Sequence, residues 1–155
     1  MTQRIDYQAA APAGVKALGG VYGYISQSGL PGPLVNLVYL RISQINGCAY
    51  CIDMHTRDIL KDGVSIEKLV LVQAWHEAGV VFTPRERAAL AWAETVTRVA
   101  DTAVPDAAFA AAAEEFSDKE LADLTIAIGL MNVYNRLAIS FRVPPAAAVA
   151  AAQAA

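Results

Sequence analysis

Signals that start and stop helices recur along this chain, and they constrain its fold more than any other feature. Thr83, followed by Pro84 and Glu86, combines an N-cap residue, a proline at the first helical position and a glutamate at the third. Ser117 and Glu120 form a second capping box. Between such signals, large apolar residues recur every three or four positions, as one face of a helix requires. No window alternates apolar and polar residues for long enough to form a strand, so the sequence predicts an all-α bundle of six or seven helices.

The same signals predict where the helices begin and end. The segment from Ser28 to Pro33 contains two prolines and two glycines and cannot continue a helix. Asn46 and Gly47 supply a helix stop, so a new helix is expected to begin near Cys48. The alanine-rich tail from about residue 146 is expected to be a frayed helix or disordered. The predicted helices cover Pro12 to about Gln27, Leu34 to about Asn46, Cys48 to Lys61, Ser65 to Trp75, Thr83 to Ala100, Pro105 to Phe116, and Leu121 to about Phe141.

Length and composition favour one soluble domain over residues 1–155. The 155 residues are 55% hydrophobic and 17% charged, which lets the chain bury a core that offsets the entropy of ordering it. The formal net charge is −3 with no basic run, which argues against nucleic acid or an anionic membrane as a partner. The apolar stretches are broken by charges well short of about 20 residues, and the N-terminus shows no apolar signal segment. A cytoplasmic protein is therefore expected.

The two cysteines, Cys48 and Cys51, are too few and too close together to staple a small secreted domain, so their spacing points to chemistry. On a helix that turns about 100° per residue, His55 lies on the same face as both cysteines, and Asp58 lies on that face too. A thiolate is the reactive form of cysteine, and both a helix N-terminus and a neighbouring imidazole favour it. The sequence thus predicts a redox site at the start of a helix.

The residues by themselves allow other interpretations of the two cysteines. Small buried cysteines often only fill space in a core. Zinc would find three donors in the motif, but His76 is the only other histidine available as a fourth ligand. Covalent haem requires a histidine directly after the second cysteine, where this chain has Ile52. A thioredoxin-like module requires strands that the helical periodicity does not provide, so no metal is expected and the redox chemistry is placed on a helical scaffold.

The segment SQINGCAYCIDMHTRD, Ser43 to Asp58, resembles the core of the AhpD-like alkylhydroperoxidase branch of the carboxymuconolactone decarboxylase superfamily. The segments ERAALAWAE and LAISFRVPP resemble later helices of that branch, and the likeness runs from about Leu34 to Pro145. The Cys-x-x-Cys-x-x-x-His core distinguishes this branch from the true lactone decarboxylases, which are not built on that pair. The resemblance therefore disfavours decarboxylase activity and implies an AhpD-like helical bundle.

The resemblance also implies an activity and its residues. It implies an oligomeric thiol peroxidase for hydrogen peroxide or small organic hydroperoxides, in which Cys51 attacks the peroxide and Cys48 resolves the resulting sulfenic acid. His55 would relay the proton. No bound cofactor is implied, because an external dithiol of the thioredoxin-like or lipoyl type would reduce the disulfide.

Two positions depart from the family pattern. Asn36 stands where the family has a glutamate twelve residues before the first cysteine, and Tyr50 stands where the founding peroxidases have a histidine. We expect Asn36 to orient His55 by a hydrogen bond, and Asp58 to supply the missing carboxylate. These departures keep a second interpretation open, in which the chain is a redox-responsive adaptor or disulfide-exchange protein without useful peroxidase turnover.

Polar residues also stand inside the apolar last helix. Asn132, Tyr134 and Asn135 are expected to line a pocket, form a subunit contact or pair with the backbone, because buried polar groups need partners. The glycine-rich first helix and the apolar last helix suggest more hydrophobic surface than one small bundle can hide. Homo-oligomerisation is therefore expected, as the resemblance also implies.

Overall fold

The computed structural model describes residues 2–154, so Met1 and Ala155 at the two ends of the predicted domain lie outside the described residues. All regular secondary structure in residues 2–154 is helical, which confirms the all-α prediction. Two short 3-10 segments, Val72–Glu77 and Gly79–Val81, connect α5 to α6. The helix predicted from Ser65 to Trp75 is therefore α-helical only to Leu71, and the backbone at Ala74 leaves the helical region. The α-helices are α1 (Tyr7–Ala10), α2 (Pro12–Ser26), α3 (Gly32–Asn46), α4 (Ala49–Lys61), α5 (Ile66–Leu71), α6 (Pro84–Thr97), α7 (Val99–Thr102), α8 (Asp106–Ala113), α9 (Asp118–Phe141) and α10 (Ala146–Gln153).

The two predicted capping boxes form in the structure, at the starts of α6 and α9. The Thr83 hydroxyl accepts a hydrogen bond from the Glu86 backbone N–H, and the Glu86 carboxylate accepts one from the Thr83 backbone N–H. Ser117 and Glu120 make the same reciprocal pair at the start of α9. The elements beyond the predicted seven are the four-residue turns α1 and α7 and the tail helix α10. They add short surface turns to the predicted bundle.

Helix α3 lies at the centre of the fold. Eight of its fifteen residues are buried, and it packs against α4, α6 and α9. Its two sides contribute to two different hydrophobic clusters, one with α6 and α9 and one with α4 and the segment that follows α5. Trp92 lies in the first cluster and is 6% exposed. A helix that is apolar on nearly all sides has to be surrounded by other helices, which explains the position of α3.

The C-terminal end of α3 is fixed by hydrogen bonds to α9. The Asn46 Nδ2 donates to the Oδ1 atoms of Asn132, at 3.0 Å, and Asn135, at 2.9 Å. The fully buried Asn135 in turn donates from its Nδ2 to the Ser43 Oγ at 3.1 Å. Asn132 and Asn135 thus each pair with the end of α3, which leads into the turn at Gly47 that precedes the cysteines. Asn132 also donates to the Thr97 Oγ1 and to the Ile128 carbonyl of its own helix.

The segment Asp118–Gln153 is apolar and long enough to cross a membrane by length and composition. However, nine residues of α9 are buried inside the protein, including Asp123 and Asn135. Asp123 accepts hydrogen bonds from the Tyr24 hydroxyl at 2.7 Å and the Lys119 Nζ at 2.6 Å. This burial is typical of the core helix of a soluble all-helical protein, and α9 is interpreted as one.

The two helices predicted to carry excess hydrophobic surface, α2 and α9, expose apolar side chains. Ile25 is the only buried residue among those described in α2, and Tyr22 and Tyr24 of that helix are about half exposed. On α9, Ile126, Val133 and Ile139 are exposed. The expected homo-oligomer stays a prediction.

Truncation of the buried amide that joins α3 to α9 should destabilise the protein. Asn135→Ala removes two hydrogen bonds to α3 and one to the Met131 Sδ. The Ser43 and Asn46 side chains each lose one partner, so we expect a loss of about 2 kcal/mol in the free energy of unfolding. Asn36→Ala removes an exposed hydrogen bond to Asp62 and should cost within about 0.5 kcal/mol. Urea unfolding monitored by tryptophan fluorescence measures both, and equal losses would contradict the structural role of Asn135.

Candidate active site

The cysteine motif lies at the start of α4, as predicted. Gly47 ends α3 in the left-handed conformation, with φ 70° and ψ 33°, and the Cys48 backbone N–H then bonds to the Ser43 carbonyl at 2.9 Å. Cys48 is the N-cap of α4, and its Sγ accepts a hydrogen bond from the Cys51 backbone N–H at 3.3 Å. The positive end of the helix dipole therefore acts on both sulfurs.

Cys48 and Cys51 form a disulfide, with their Cα atoms 5.4 Å apart. Both residues are 1% exposed. They pack against Ala138 of α9, with Tyr50 and Val143 beside them. The small side chain at position 138 lets α9 lie close to the sulfurs, so the redox pair is part of the packed interior.

His55 lies one turn further along α4 and is 3% exposed. Its ring contacts the ring of Tyr39 on α3, with the two centroids 5.2 Å apart. The Tyr39 hydroxyl and both His55 ring nitrogens are buried and have no hydrogen-bond partner among the described residues. Three buried polar atoms on two adjacent rings are unusual in a folded protein. They can bond to a small polar molecule that enters the site.

Burial controls the charge of both rings. Loss of solvent around His55 lowers its pKa from the ordinary value of 6.5 to about 4, and the negative charge of Asp58 opposes this only in part. Burial likewise raises the pKa of Tyr39 well above its usual range. In the disulfide form the site therefore holds a neutral imidazole and a neutral phenol at pH 7. A neutral imidazole offers no positive charge to a thiolate, but it can accept the proton of a thiol.

The structure contradicts the expected hydrogen bond between Asn36 and His55. The Asn36 Nδ2 donates instead to the Asp62 carboxylate, at 2.9 Å, just beyond the C-terminal end of α4. The reason is the helical spacing on α3, because Tyr39, three residues further on, takes the position against the imidazole. Asn36 is therefore not in contact with the candidate site, and Tyr39 is.

A cavity of about 270 Å³ lies between α2, α4 and α9 beside the His55 ring, whereas Tyr39 lines a separate cavity between α2 and α3. Five residues singled out from the sequence line it, namely Tyr50, Cys51, His55, Asp58 and Tyr134. Asp58 is 42% exposed and pairs with the Lys61 Nζ at 3.2 Å. The remaining lining residues are mostly aromatic or apolar: Tyr7, Gln8, Gly19, Tyr22, Met54, Met131 and Ala138. We call this space the Cys51 cavity.

The sequence did not mark Tyr39 as a functional residue. The indication in the sequence is that Tyr39 lies within an apolar run of α3, because a buried tyrosine hydroxyl normally has a hydrogen-bond partner.

No group of three or more His, Cys, Asp or Glu residues that could hold a metal ion occurs within residues 2–154. His76, the possible fourth zinc ligand, stacks on Trp75 with ring centroids 3.6 Å apart, and its side chain is 62% exposed.

The fold and the site define an AhpD-like helical protein with a Cys-x-x-Cys pair. The sequence model of the carboxymuconolactone decarboxylase family matches residues 9–95, more than half of the chain. The chain is 35% identical over 140 residues to the uncharacterized protein YdfG of Bacillus subtilis, covering 90% of this chain and 95% of that protein. It therefore belongs to the carboxymuconolactone decarboxylase family.

Solved structures place the chain in the AhpD-like branch of that family. One is ATU0492 of Agrobacterium tumefaciens, a protein of unknown function described as a candidate antioxidant defence protein AhpD. It is 41% identical, with a TM-score of 0.89 over 93% of this chain and 98% of that chain. An uncharacterized peroxidase-related protein with an alkylhydroperoxidase AhpD core, from Ralstonia eutropha JMP134, shares the fold at 22% identity. Its TM-score is 0.78 over 90% of this chain and 74% of that chain.

The burial of His55 predicts a pH-dependent stability. Its pKa is about 4 in the folded disulfide form and 6.5 ordinarily, so the unfolded chain binds the proton more tightly and stability falls as the pH drops below 6.5. Between pH 7 and pH 5, protonation of His55 should lower the free energy of unfolding by an amount on the order of 2 kcal/mol. His55→Phe should remove that part of the loss, while His76→Phe, at an exposed position, should retain it. Urea unfolding of oxidised protein at both pH values measures the difference, and equal pH dependence in all three proteins would contradict the assignment.

Proposed function

We propose that this protein is a thiol-dependent peroxidase that reduces hydrogen peroxide or small organic hydroperoxides through the Cys48–Cys51 disulfide. The observation that carries the proposal is that Cys51 and His55 line one cavity while Cys48 lies within bonding distance of Cys51. The antioxidant role named for the Agrobacterium relative agrees with it. The same proposal extends to a cytoplasmic location and self-association.

The cycle begins with the reduced pair. His55 accepts the proton of the Cys51 thiol, and the helix N-terminus stabilises the thiolate that results. The Cys51 Sγ then attacks the terminal peroxide oxygen, so an S–O bond forms and the O–O bond breaks. The leaving alkoxide or hydroxide takes up a proton and departs as an alcohol or water. Cys51 is left as a sulfenic acid.

The second step forms the disulfide. The Cys48 sulfur attacks the Cys51 Sγ, the S–O bond breaks, and water leaves with the proton of the Cys48 thiol. The Cα separation of 5.4 Å already fits a disulfide, so this step requires little movement of α4. An external dithiol, thioredoxin-like or lipoyl-type, then returns two electrons and two protons, and the cycle requires no bound cofactor.

Tyr39 and Asp58 complete the proton relay in this proposal. Tyr39 lines the neighbouring cavity, but its ring contacts His55 and its hydroxyl stays protonated. In this proposal the hydroxyl gives its proton to the leaving oxygen and regains the proton that His55 took from Cys51. The negative charge of Asp58 favours the protonated form of His55, which helps the imidazole to hold the proton during the attack. Tyr50 forms part of the cavity wall near Cys51 and limits the size of the hydroperoxide.

A second candidate is a redox-responsive adaptor or disulfide-exchange protein. The observations that favour it are the 1% exposure of both cysteines and the absence of a glutamate at position 36. Such a protein would exchange disulfides with a dithiol partner but would consume hydroperoxide negligibly. Side-by-side assays of hydroperoxide consumption and of disulfide exchange distinguish the two functions.

Removal of either sulfur should separate the two steps. Cys51→Ser should abolish hydroperoxide consumption, because no thiolate remains in the Cys51 cavity. Cys48→Ser should retain one oxidation per chain and stop at a sulfenic acid on Cys51, since the resolving thiol is missing. Stopped-flow consumption and mass spectrometry after trapping with dimedone measure both results. Undiminished activity of Cys51→Ser would contradict the proposed function.

Loss of the Tyr39 hydroxyl should slow the oxidation step. Tyr39→Phe keeps the ring that packs on His55 and should lower the rate constant for Cys51 oxidation about 10- to 100-fold, as expected for loss of an acid group. The pH dependence of that rate should change as well, which a purely structural loss would not cause. Asn36→Ala serves as the control on the same helix and should leave the rate unchanged. Equal rates for Tyr39→Phe and the wild type would remove Tyr39 from the relay.

A further inference from the structure

Cys48 lines a different cavity from Cys51. This second space has a volume of about 400 Å³ and is bounded by the end of α9, the Val143–Pro145 segment and the start of α10. We call it the Cys48 cavity. Tyr50 and Ala138 line both cavities and form the partition between them, while each cysteine lines only one.

From this arrangement we propose that the reductant approaches the disulfide through the Cys48 cavity and attacks the Cys48 Sγ, on the side away from the hydroperoxide. The inference deepens the proposed function and rests on it for the order of the cycle. It assigns each half of the cycle to its own entrance. Oxidation takes place at Cys51 from one side, and reduction at Cys48 from the other.

The chemistry of disulfide exchange fits this direction of attack. An incoming thiolate bonds to one sulfur and expels the other, and the more acidic thiol leaves faster. Attack on Cys48 expels Cys51, which lies in the first turn of α4 and near His55, where a thiolate is stabilised and can be protonated. The second thiolate of the reductant then attacks its own sulfur in the mixed disulfide and expels Cys48. The reductant leaves as a disulfide, and both cysteines are thiols again.

The walls of the Cys48 cavity indicate the class of reductant. The lining is mostly apolar, from Ala49, Ile139, Val143, Pro144 and Ala148. Cys48 itself is 1% exposed, so the flat surface of a folded protein cannot reach its sulfur without displacing α10. A slender aliphatic dithiol can enter such a space, because its methylene groups match the apolar walls.

Helix α10 forms the outer wall of the Cys48 cavity and can be altered without disturbing the core. None of its described residues is buried. Its first turn is attached to α4 through the Ala147 backbone N–H, which donates to the Asp53 carboxylate at 3.3 Å. Ala148 lines the cavity, whereas Ala150 is exposed and does not. These two alanines provide a matched pair of sites for the same substitution.

The test measures the two half-reactions separately in the intact protein. Ala148→Phe should slow reduction of the oxidised protein by dithiothreitol about tenfold, because access to the attacked sulfur controls the rate, and should leave oxidation by tert-butyl hydroperoxide unchanged. Ala150→Phe should leave both rates unchanged. Gly19→Leu, on the Cys51 cavity where a Cβ meets open space, should slow oxidation alone. Slowed oxidation with unchanged reduction in Ala148→Phe would overturn the inference.

A trapping experiment on the wild type identifies the attacked sulfur directly. Oxidised protein is treated briefly with 2-mercaptoethanol, alkylated with iodoacetamide and fragmented in a mass spectrometer. The mixed disulfide should be on Cys48 and the alkyl group on Cys51, and the reverse pattern would overturn the inference. Failure to consume hydroperoxide, with the adduct still on Cys48, would count against the proposed function alone. Rapid hydroperoxide turnover with the adduct on Cys51 would count against this inference alone.

Discussion

The burial of α3 is the constraint on which the rest of the structure depends. Because α4, α6 and α9 surround this helix, its C-terminal end is held in place, and the turn at Gly47 leads directly into Cys48. The Ser43 carbonyl accepts the Cys48 backbone N–H, and the Ser43 Oγ accepts from Asn135 on α9. One serine therefore joins the core helix, the last long helix and the redox turn. The geometry of the disulfide follows from core packing rather than from a flexible loop.

The same burial determines the chemistry that the site can perform. His55 and Tyr39 are removed from water, so each is neutral near pH 7 in the disulfide form. In the proposed cycle the imidazole is therefore the proton acceptor and the phenol the donor. A thiolate on Cys51 would reverse this balance, because a nearby negative charge favours the protonated imidazole. Proton uptake by His55 and the redox state of Cys51 are coupled in this way. A relay built on a phenol and an imidazole does not require the glutamate that Asn36 replaces.

Packing against α9 gives the disulfide two different sides. Ala138 lies against both sulfurs, and together with Tyr50 it separates the space in front of Cys51 from the space in front of Cys48. A small residue at this position lets the helices approach closely while leaving room on both sides. The short helix α10 borders the second space through Ala148. A sulfur pair that is buried, yet bordered by a cavity on each side, is compatible with two reactants that do not compete for one entrance.

The sequence by itself determined the helical class, the starts of most long helices and the placement of Cys48, Cys51 and His55 on one face at the start of α4. These features are local, since capping signals and a spacing of three or four residues act within one or two turns of a helix. Only the tertiary structure decided that Tyr39 and not Asn36 contacts His55, that the imidazole is neutral, and that the two sulfurs face separate cavities. Those properties depend on how α3, α9 and α10 pack against α4. Side-chain contacts and desolvation between distant segments are set by that packing, which local sequence patterns do not encode.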